Sequence, residues 1–192
     1  SYKSINSLSE AIQSFNKVLK IEPQNSNTYL LLGNIYTELR DFQSAKYYYK
    51  KGHELNPKEY LFLNGLGNVF HHENKYIEAI NCFKTALESA PNKAGILNNL
   101  GNSLVAISDF EEAIKNYCKA ISNDALTQEF HLNLAFAYFY AGNYEEGWKE
   151  YEYRTKYKPI NELESWEGQP LQPNQKLLIN SEEGLGDTIQ FL

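Results

Sequence analysis

The chain has no methionine, only two cysteines and no long run of apolar residues. Free cysteines are commonly buried as small apolar residues, and Cys82 and Cys118 stand far apart, so a disulfide-stabilised secreted fold is not supported. The longest apolar run, 134–141, is far shorter than the roughly 18 residues that cross a bilayer. The absence of a signal peptide and of an initiating methionine predicts a cytoplasmic piece of a longer protein.

An excess of positive charge is also missing. The 192 residues carry a net charge of −6, whereas a nucleic-acid-binding protein needs a clustered basic surface. We therefore expect neither nucleic acid nor a membrane as a partner. His71 and His72 are adjacent, so their side chains diverge by about 100° on a helix and form no ligand set. No cysteine has a supporting histidine and carboxylate nearby, so we expect no metal, no cofactor and no catalysis in this piece.

What the chain does have is a pattern of aromatic, apolar and small residues that recurs every 34 residues. Between 29 and 57 the pattern consists of Tyr29, Leu32, Gly33, Tyr36, Phe42, Ala45, Tyr49, Gly52 and Pro57. The same slots recur at 63–91, 97–125 and 131–159, and the second half of one more copy lies at 8–23. With this uninterrupted step, the chain resembles the tetratricopeptide repeat (TPR) family over about residues 7–159.

The resemblance implies an all-α, right-handed solenoid of stacked antiparallel helix pairs, with a short irregular or strand-containing tail. The expected units are a half repeat at 1–25, full repeats at 26–59, 60–93, 94–127 and 128–159, and a connector at 160–192. In the half repeat, Ser7 and Glu10 have capping-box spacing, which predicts a helix over 7–21. Gly33 and Ala45 are predicted to let the two helices of one pair approach closely.

Asparagines mark one side of the first helix of each repeat. At 100° per residue the apolar positions of these helices share one side, and eight asparagines lie on the other. They are Asn27, Asn34, Asn64, Asn68, Asn98, Asn99, Asn102 and Asn133. Asparagine costs up to about 0.7 kcal/mol against alanine in a helix, and its amide complements a peptide backbone. In the TPR family the first helices line the inner wall, so the resemblance implies that these side chains face a groove.

We predict that the groove binds an extended polypeptide from a protein or peptide partner. The expected binding residues are Asn34, Asn68, Asn102, Asn99 and Asn133, with Asn64 and Asn98 assisting. The alternative is a merely solvated polar wall. Chaperone-binding TPR proteins grip a carboxylate with groove lysines and arginines, but the corresponding positions here hold Leu30, Asn64, Asn98 and Leu132, or Leu61, Gly95 and Glu129. The groove resembles instead that of the O-linked N-acetylglucosamine transferase TPR region, which holds peptides through asparagines.

The tail has a resemblance of its own. Trp166, Gly168, Leu171 and the stretches 176–179 and 183–191 resemble the junction in bacterial TPR proteins fused to a heptosyltransferase-like or O-GlcNAc-transferase-like GT-B domain. This implies that 160–192 is a connector and the truncated start of a βα domain. Its sugar- or phosphate-binding loop would contain Gly184, Gly186 and Asp187.

Two further functions therefore stand beside the interaction scaffold. One is the substrate-recruiting arm of a glycosyltransferase whose catalytic domain is mostly absent. The other is self-assembly into a homo-oligomer through the open N-terminal repeat.

Overall fold

Helices joined by short turns make up the part of the chain that the structure describes. The computed structural model covers the backbone of residues 2–154 and the side chains of residues 8–153. In chain order its helices are α1 (Tyr2–Ile21), α2 (Ser26–Glu38), α3 (Phe42–Leu55), α4 (Tyr60–His72), α5 (Tyr76–Ser89), α6 (Ala94–Ala106), α7 (Phe110–Asn123), α8 (Gln128–Tyr140), α9 (Tyr144–Tyr151) and a 3₁₀ helix, Glu152–Arg154. The predicted all-α class is confirmed for these residues, and the expected strand within 160–192 lies outside them.

The helices after α1 form four pairs stacked in one direction. Helix α2 packs on α3, α4 on α5, α6 on α7 and α8 on α9, and the second helix of each pair also packs on the first helix of the next. Successive first helices approach one another, whereas within residues 2–154 no second helix approaches the next second helix. This is the nearest-neighbour packing of a solenoid. The first helices lie on its inner side, because the inner side of a curved stack is the one where successive elements come closest.

In each of the first three helix pairs, a buried aromatic ring of the second helix fills the space that a glycine leaves in the first helix. A Cβ atom added to Gly33, Gly67 or Gly101 would lie 2.4–2.5 Å from a ring atom. The three rings are those of Tyr49, Phe83 and Tyr117. Burying such a ring contributes about 1.5–3 kcal/mol. The sequence predicted that the glycines and Ala45 together allow close helix packing, but the atoms nearest to each glycine belong to these larger rings.

The turn inside each pair is held by one residue in the left-handed region. These residues are Arg40, Asn74, Ser108 and Gly142, with φ between 58° and 78°. In the first pair, the Arg40 amide donates to the Thr37 carbonyl at 3.0 Å and the Asp41 amide donates to the Tyr36 carbonyl at 2.9 Å. This is a Schellman motif, which satisfies the last carbonyls of the helix. Only at 142 is the left-handed residue a glycine, so the other three turns carry backbone strain.

The leading half repeat corrects the sequence analysis. We expected a helix beginning at Ser7, but the structure has one continuous helix of 20 residues from Tyr2 to Ile21. Asn6 occupies the slot of the left-handed Arg40 and is helical instead. Extending the existing helix adds one backbone hydrogen bond for each residue fixed.

The expectation that both cysteines are buried is wrong for one of them. Cys82 is half-buried, as expected for a small apolar residue, but Cys118 is exposed. His131, which has no obvious partner in the sequence, is 3% exposed and lies 2.6 Å through Nδ1 from an oxygen of Glu150. Its Nε2 is 3.2 Å from the carbonyl oxygen of Ala125, and its ring stacks on Tyr153 with 3.6 Å between the ring centres. These contacts fasten α8 to α9 and to the 3₁₀ helix.

Candidate functional site

The predicted asparagines lie on the four first helices, along the inner side of the stack. Helix α2 carries Asn34, α4 carries Asn64 and Asn68, α6 carries Asn98, Asn99 and Asn102, and α8 carries Asn133. Asn34 is exposed, Asn98 is only 3% exposed and the other five are half-buried. The structure therefore brings the seven to one face, but it does not expose them equally.

The amides of the last three first helices are joined by hydrogen bonds from one repeat to the next. Asn99 Nδ2 donates to Asn68 Oδ1 at 3.0 Å and to Asn64 Oδ1 at 3.3 Å. Asn133 Nδ2 donates to Asn98 Oδ1 at 2.9 Å. Asn98 Nδ2 in turn donates to Glu129 Oε1 at 3.3 Å. The carboxamides thus form a connected polar surface across α4, α6 and α8, within which Asn98 is occupied on both of its polar atoms.

The three asparagines spaced by 34 residues share a second feature. The side-chain oxygen of each already accepts a hydrogen bond. The Tyr49 hydroxyl donates to Asn34 Oδ1 at 2.8 Å, and the Tyr117 hydroxyl donates to Asn102 Oδ1 at 2.6 Å. The second helix between these two carries a phenylalanine at the equivalent position and has no hydroxyl to offer. There, Asn68 Oδ1 accepts from the Asn99 amide instead.

Both tyrosine hydroxyls are donors at neutral pH, and burial moves their pKa further above it. Desolvation raises the pKa of Tyr49, although the hydrogen bond to Thr37 opposes this shift. Desolvation also raises the pKa of Tyr117, and the carboxylate of Glu129 adds to the effect. Both phenols are therefore protonated at neutral pH. Each hydroxyl binds the oxygen of its asparagine amide and so fixes the orientation of that amide.

The atoms left over define what this surface offers to a ligand. Within residues 8–153, Nδ2 of Asn34, Asn68 and Asn102 donates no hydrogen bond to another side chain or to the backbone. The same holds for Nδ2 of Asn64, whereas Asn99 and Asn133 have an uncommitted oxygen. The surface therefore presents N–H donors in a row, with two acceptors beside them. This mixture complements the carbonyl and N–H groups of a peptide backbone.

Positive charge is absent from the inner wall. Helices α2, α4, α6 and α8 contain no lysine or arginine. Some lysines of the second helices are paired with carboxylates, as in the pair of Lys46 and Glu73 at 2.6 Å and the pair of Lys149 and Glu146 at 2.7 Å. A ligand that depends on a free carboxylate finds no cationic partner on the first helices.

Other kinds of site are not formed in the part of the chain that is described. No three His, Cys, Asp or Glu side chains among these residues lie close enough together to hold a metal ion. None of the helices α1 to α9 combines the length and the apolar character needed to cross a membrane.

Sequence reasoning found the asparagine face but missed the tyrosines that orient it. The signal for them is a spacing: Tyr49 follows Asn34 by 15 residues, and Tyr117 follows Asn102 by the same distance. Reading each asparagine together with the residue 15 positions later distinguishes the repeats that contain a hydroxyl from the one that contains Phe83.

Family models of the tetratricopeptide repeat match the chain in consecutive, partly overlapping segments. The matched residues are 1–39, 26–59, 60–125 and 98–155. Comparison with curated proteins gives no match.

Several solved structures share the fold. The crystal structure of MamA is 23% identical, with 80% of this chain and 90% of that chain covered and a TM-score of 0.71. MamA from Desulfovibrio magneticus RS-1 is 19% identical, with 79% and 88% covered and a TM-score of 0.72. PilF of Pseudomonas aeruginosa is 17% identical, with 81% and 71% covered and a TM-score of 0.73. At these identities the likeness concerns the fold alone.

These matches bear on the alternatives raised by the sequence. The family models end at residue 155 and give no support to a fused glycosyltransferase. The loop predicted at Gly184, Gly186 and Asp187 lies outside the described residues, so the recruiting-arm hypothesis stays a prediction. Self-assembly through the N-terminal repeat also stays a prediction.

Proposed function

Because this chain is a tetratricopeptide repeat protein, we propose that it is an interaction scaffold that binds an extended polypeptide along its inner face. The observation that carries the proposal is the row of amide donors on α2, α4 and α6. The oxygens of these amides already accept hydrogen bonds from Tyr49, Asn99 and Tyr117, which leaves their Nδ2 groups as donors. A surface that served only solubility would have no need for amides of fixed orientation.

Backbone hydrogen bonding explains why the ligand is a polypeptide. Asn34, Asn68 and Asn102 offer N–H groups to carbonyl oxygens, while the uncommitted oxygens of Asn99 and Asn133 accept from N–H groups. Each such bond contributes about 0.5–1.5 kcal/mol net. Because the first helices lack lysine and arginine, recognition does not require an acidic terminus.

The repeat spacing further favours one backbone conformation. Packed neighbouring helices lie about 8–10 Å apart. A polyproline II segment rises about 3.1 Å per residue with three residues per turn, so it presents a carbonyl to the same side about every 9 Å. One donor per repeat therefore matches one ligand carbonyl per turn. Asn34, Asn68 and Asn102 then span about seven ligand residues, and peptides shorter than this lose affinity.

Aspartate substitutions test the donors without removing the inward hydrogen bonds. In the triple variant N34D/N68D/N102D, the oxygen that binds the tyrosine or asparagine partner is kept. The Nδ2 donor of each asparagine is replaced by a second carboxylate oxygen, which can only accept. Peptides enriched on the wild-type chain from a random dodecapeptide display library serve as the probe, with affinities measured by fluorescence anisotropy. Loss of three hydrogen bonds predicts binding weaker by about tenfold to a thousandfold.

The matched control carries the same added charge elsewhere. Asn81, Asn92 and Asn123 are exposed and lie outside the first helices, so N81D/N92D/N123D should bind the selected peptides as the wild type does. Equal affinity of both triple variants, or a library that yields no peptide, would refute the proposal. Circular dichroism of both variants verifies that the helices are retained.

A further inference from the structure

One pocket on the inner face has walls of two different kinds. It has a volume of about 350 Å³ and lies where α4, α6, α7 and α8 meet. His71, Asn102, Tyr117 and Asn133 supply its polar part, and Phe136 and Ala137 contribute to its apolar part. This volume is at the lower end of the range of about 300–1,000 Å³ for small-molecule pockets, so the pocket has room for one large side chain.

The hydrogen bonds of His71 determine what its ring offers to the pocket. Ser103 is fully buried, and its hydroxyl donates to the Asn99 carbonyl at 3.1 Å. A hydroxyl has one proton, so the contact of 2.9 Å between His71 Nδ1 and Ser103 Oγ has the ring nitrogen as its donor. Desolvation, with a contribution from neighbouring His72, lowers the pKa of His71 and keeps it neutral. Nε2 therefore carries a lone pair, and within residues 8–153 the ring's hydrogen bond is made through Nδ1 and not through Nε2.

Asn102 supplies the opposite group. Its Oδ1 accepts from the Tyr117 hydroxyl at 2.6 Å, so its Nδ2 presents N–H donors to the pocket. Phe136, which is 47% exposed, forms part of the apolar wall. The pocket thus offers one acceptor and one donor beside an aromatic surface.

We propose that this pocket receives a tyrosine side chain of the bound polypeptide, an inference that rests on the proposed function. The ring packs against Phe136, while the phenol donates to His71 Nε2 and accepts from Asn102 Nδ2. Tyrosine combines the required apolar body with a group that both donates and accepts.

Phenylalanine, charged side chains and the small hydroxyl side chains each fail one requirement of the pocket. Phenylalanine leaves both polar groups unpaired, a carboxylate has no donor for His71 and an ammonium has no acceptor for Asn102. Serine and threonine reach the polar groups but leave the Phe136 wall empty. Sites built to hydrogen-bond a hydroxyl strongly reject the analogue that lacks it, so discrimination between tyrosine and phenylalanine is the sharpest test.

In the test, N-acetyl-L-tyrosinamide is titrated into the whole chain. Binding is followed through the backbone amide chemical shifts in nuclear magnetic resonance spectra. We expect saturable shifts at Asn102, Asn133 and Phe136 with a dissociation constant of about a millimolar. N-acetyl-L-phenylalaninamide should bind at least about tenfold more weakly. The variant Phe136→Ala should weaken tyrosinamide binding at least about tenfold. Tyr140→Ala removes a more exposed ring of the same helix and should leave binding unchanged.

Each outcome decides the matter. Equal binding of the two amides, no saturable shifts, or equal effects of Phe136→Ala and Tyr140→Ala would overturn the assignment. If the selected peptides bind through the asparagine donors without any preference for tyrosine, the groove proposal stands and the assignment of the pocket to a tyrosine side chain is refuted. Tyrosinamide binding, together with selected peptides whose affinity is unchanged by N34D/N68D, would refute the groove proposal and leave the pocket assignment standing, because that double variant keeps the Asn102 donor of the pocket.

Discussion

Replacing Gly101 by alanine should destabilise the chain, although the same change elsewhere in the same helix should stabilise it. A Cβ atom on Gly101 would lie 2.5 Å from Cε1 of Tyr117 and 2.7 Å from its Cζ. Ordinary contact begins at 3.4 Å, so the ring would have to retreat by about 0.9 Å. Tyr117 is 1% exposed and its hydroxyl is tied to Asn102, which leaves the ring little freedom to move.

The magnitude follows from two opposing terms. Alanine gains up to about 1 kcal/mol over glycine in a helix, and overpacking a core costs about 1–3 kcal/mol. Gly95 lies in the same helix with nothing within 4 Å of an added Cβ. G95A should therefore gain up to about 1 kcal/mol, and G101A should be about 1–3 kcal/mol less stable than G95A.

Urea denaturation followed by far-ultraviolet circular dichroism measures this difference. In a Tyr117→Leu background, where the clashing ring atoms are gone, Gly101→Ala should lose its penalty. If G101A proves as stable as G95A, the close packing of glycine and ring is not what holds the pair of helices together, and the explanation of the repeat pattern fails.

Further outcomes follow from the turns, the cysteines and the open N-terminal end. Ser108→Gly should raise the free energy of unfolding by up to about 1 kcal/mol, because φ at Ser108 is 63°. Ser122→Gly, inside α7, should lower the free energy of unfolding. Urea titration measures both changes. Burial raises the pKa of Cys82 to about 11. At pH 8 iodoacetamide should therefore label the exposed Cys118 first, which mass spectrometry measures. Faster labelling of Cys82 would contradict its burial. If the N-terminal repeat self-assembles, light scattering should show a mass that rises with concentration, and a constant monomer mass would remove that hypothesis.

Much of the fold could be predicted from the sequence because its periodic signal is repeated without interruption. A step of 34 residues places equivalent side chains on equivalent faces, and proline biases the residue before it away from helix. Asn56 and Ala90, which precede Pro57 and Pro91, accordingly end α3 and α5 in a non-helical conformation. Asp124 ends α7 in a similar conformation without a following proline, so the repeat itself imposes the break.

Periodicity could not predict which side chains touch. It assigns a residue to a face of a helix, but the partner depends on how far a side chain reaches across the pair. The ring of Tyr49 reaches the backbone at Gly33 and Gly65, a contact that no spacing within one helix reveals.

The asparagine face could be predicted in position but not in orientation. An amide on a polar wall can point either its oxygen or its nitrogen outward, and the sequence of the first helix does not decide between them. The decision comes from the second helix, where a tyrosine hydroxyl binds the oxygen of Asn34 or Asn102. At Asn68, where Phe83 offers no hydroxyl, the neighbouring repeat supplies the hydrogen through Asn99. The core residue of one helix therefore sets the hydrogen-bonding character of the groove on the other. A change at Tyr49 or Tyr117 should alter ligand recognition even though neither hydroxyl needs to touch the ligand.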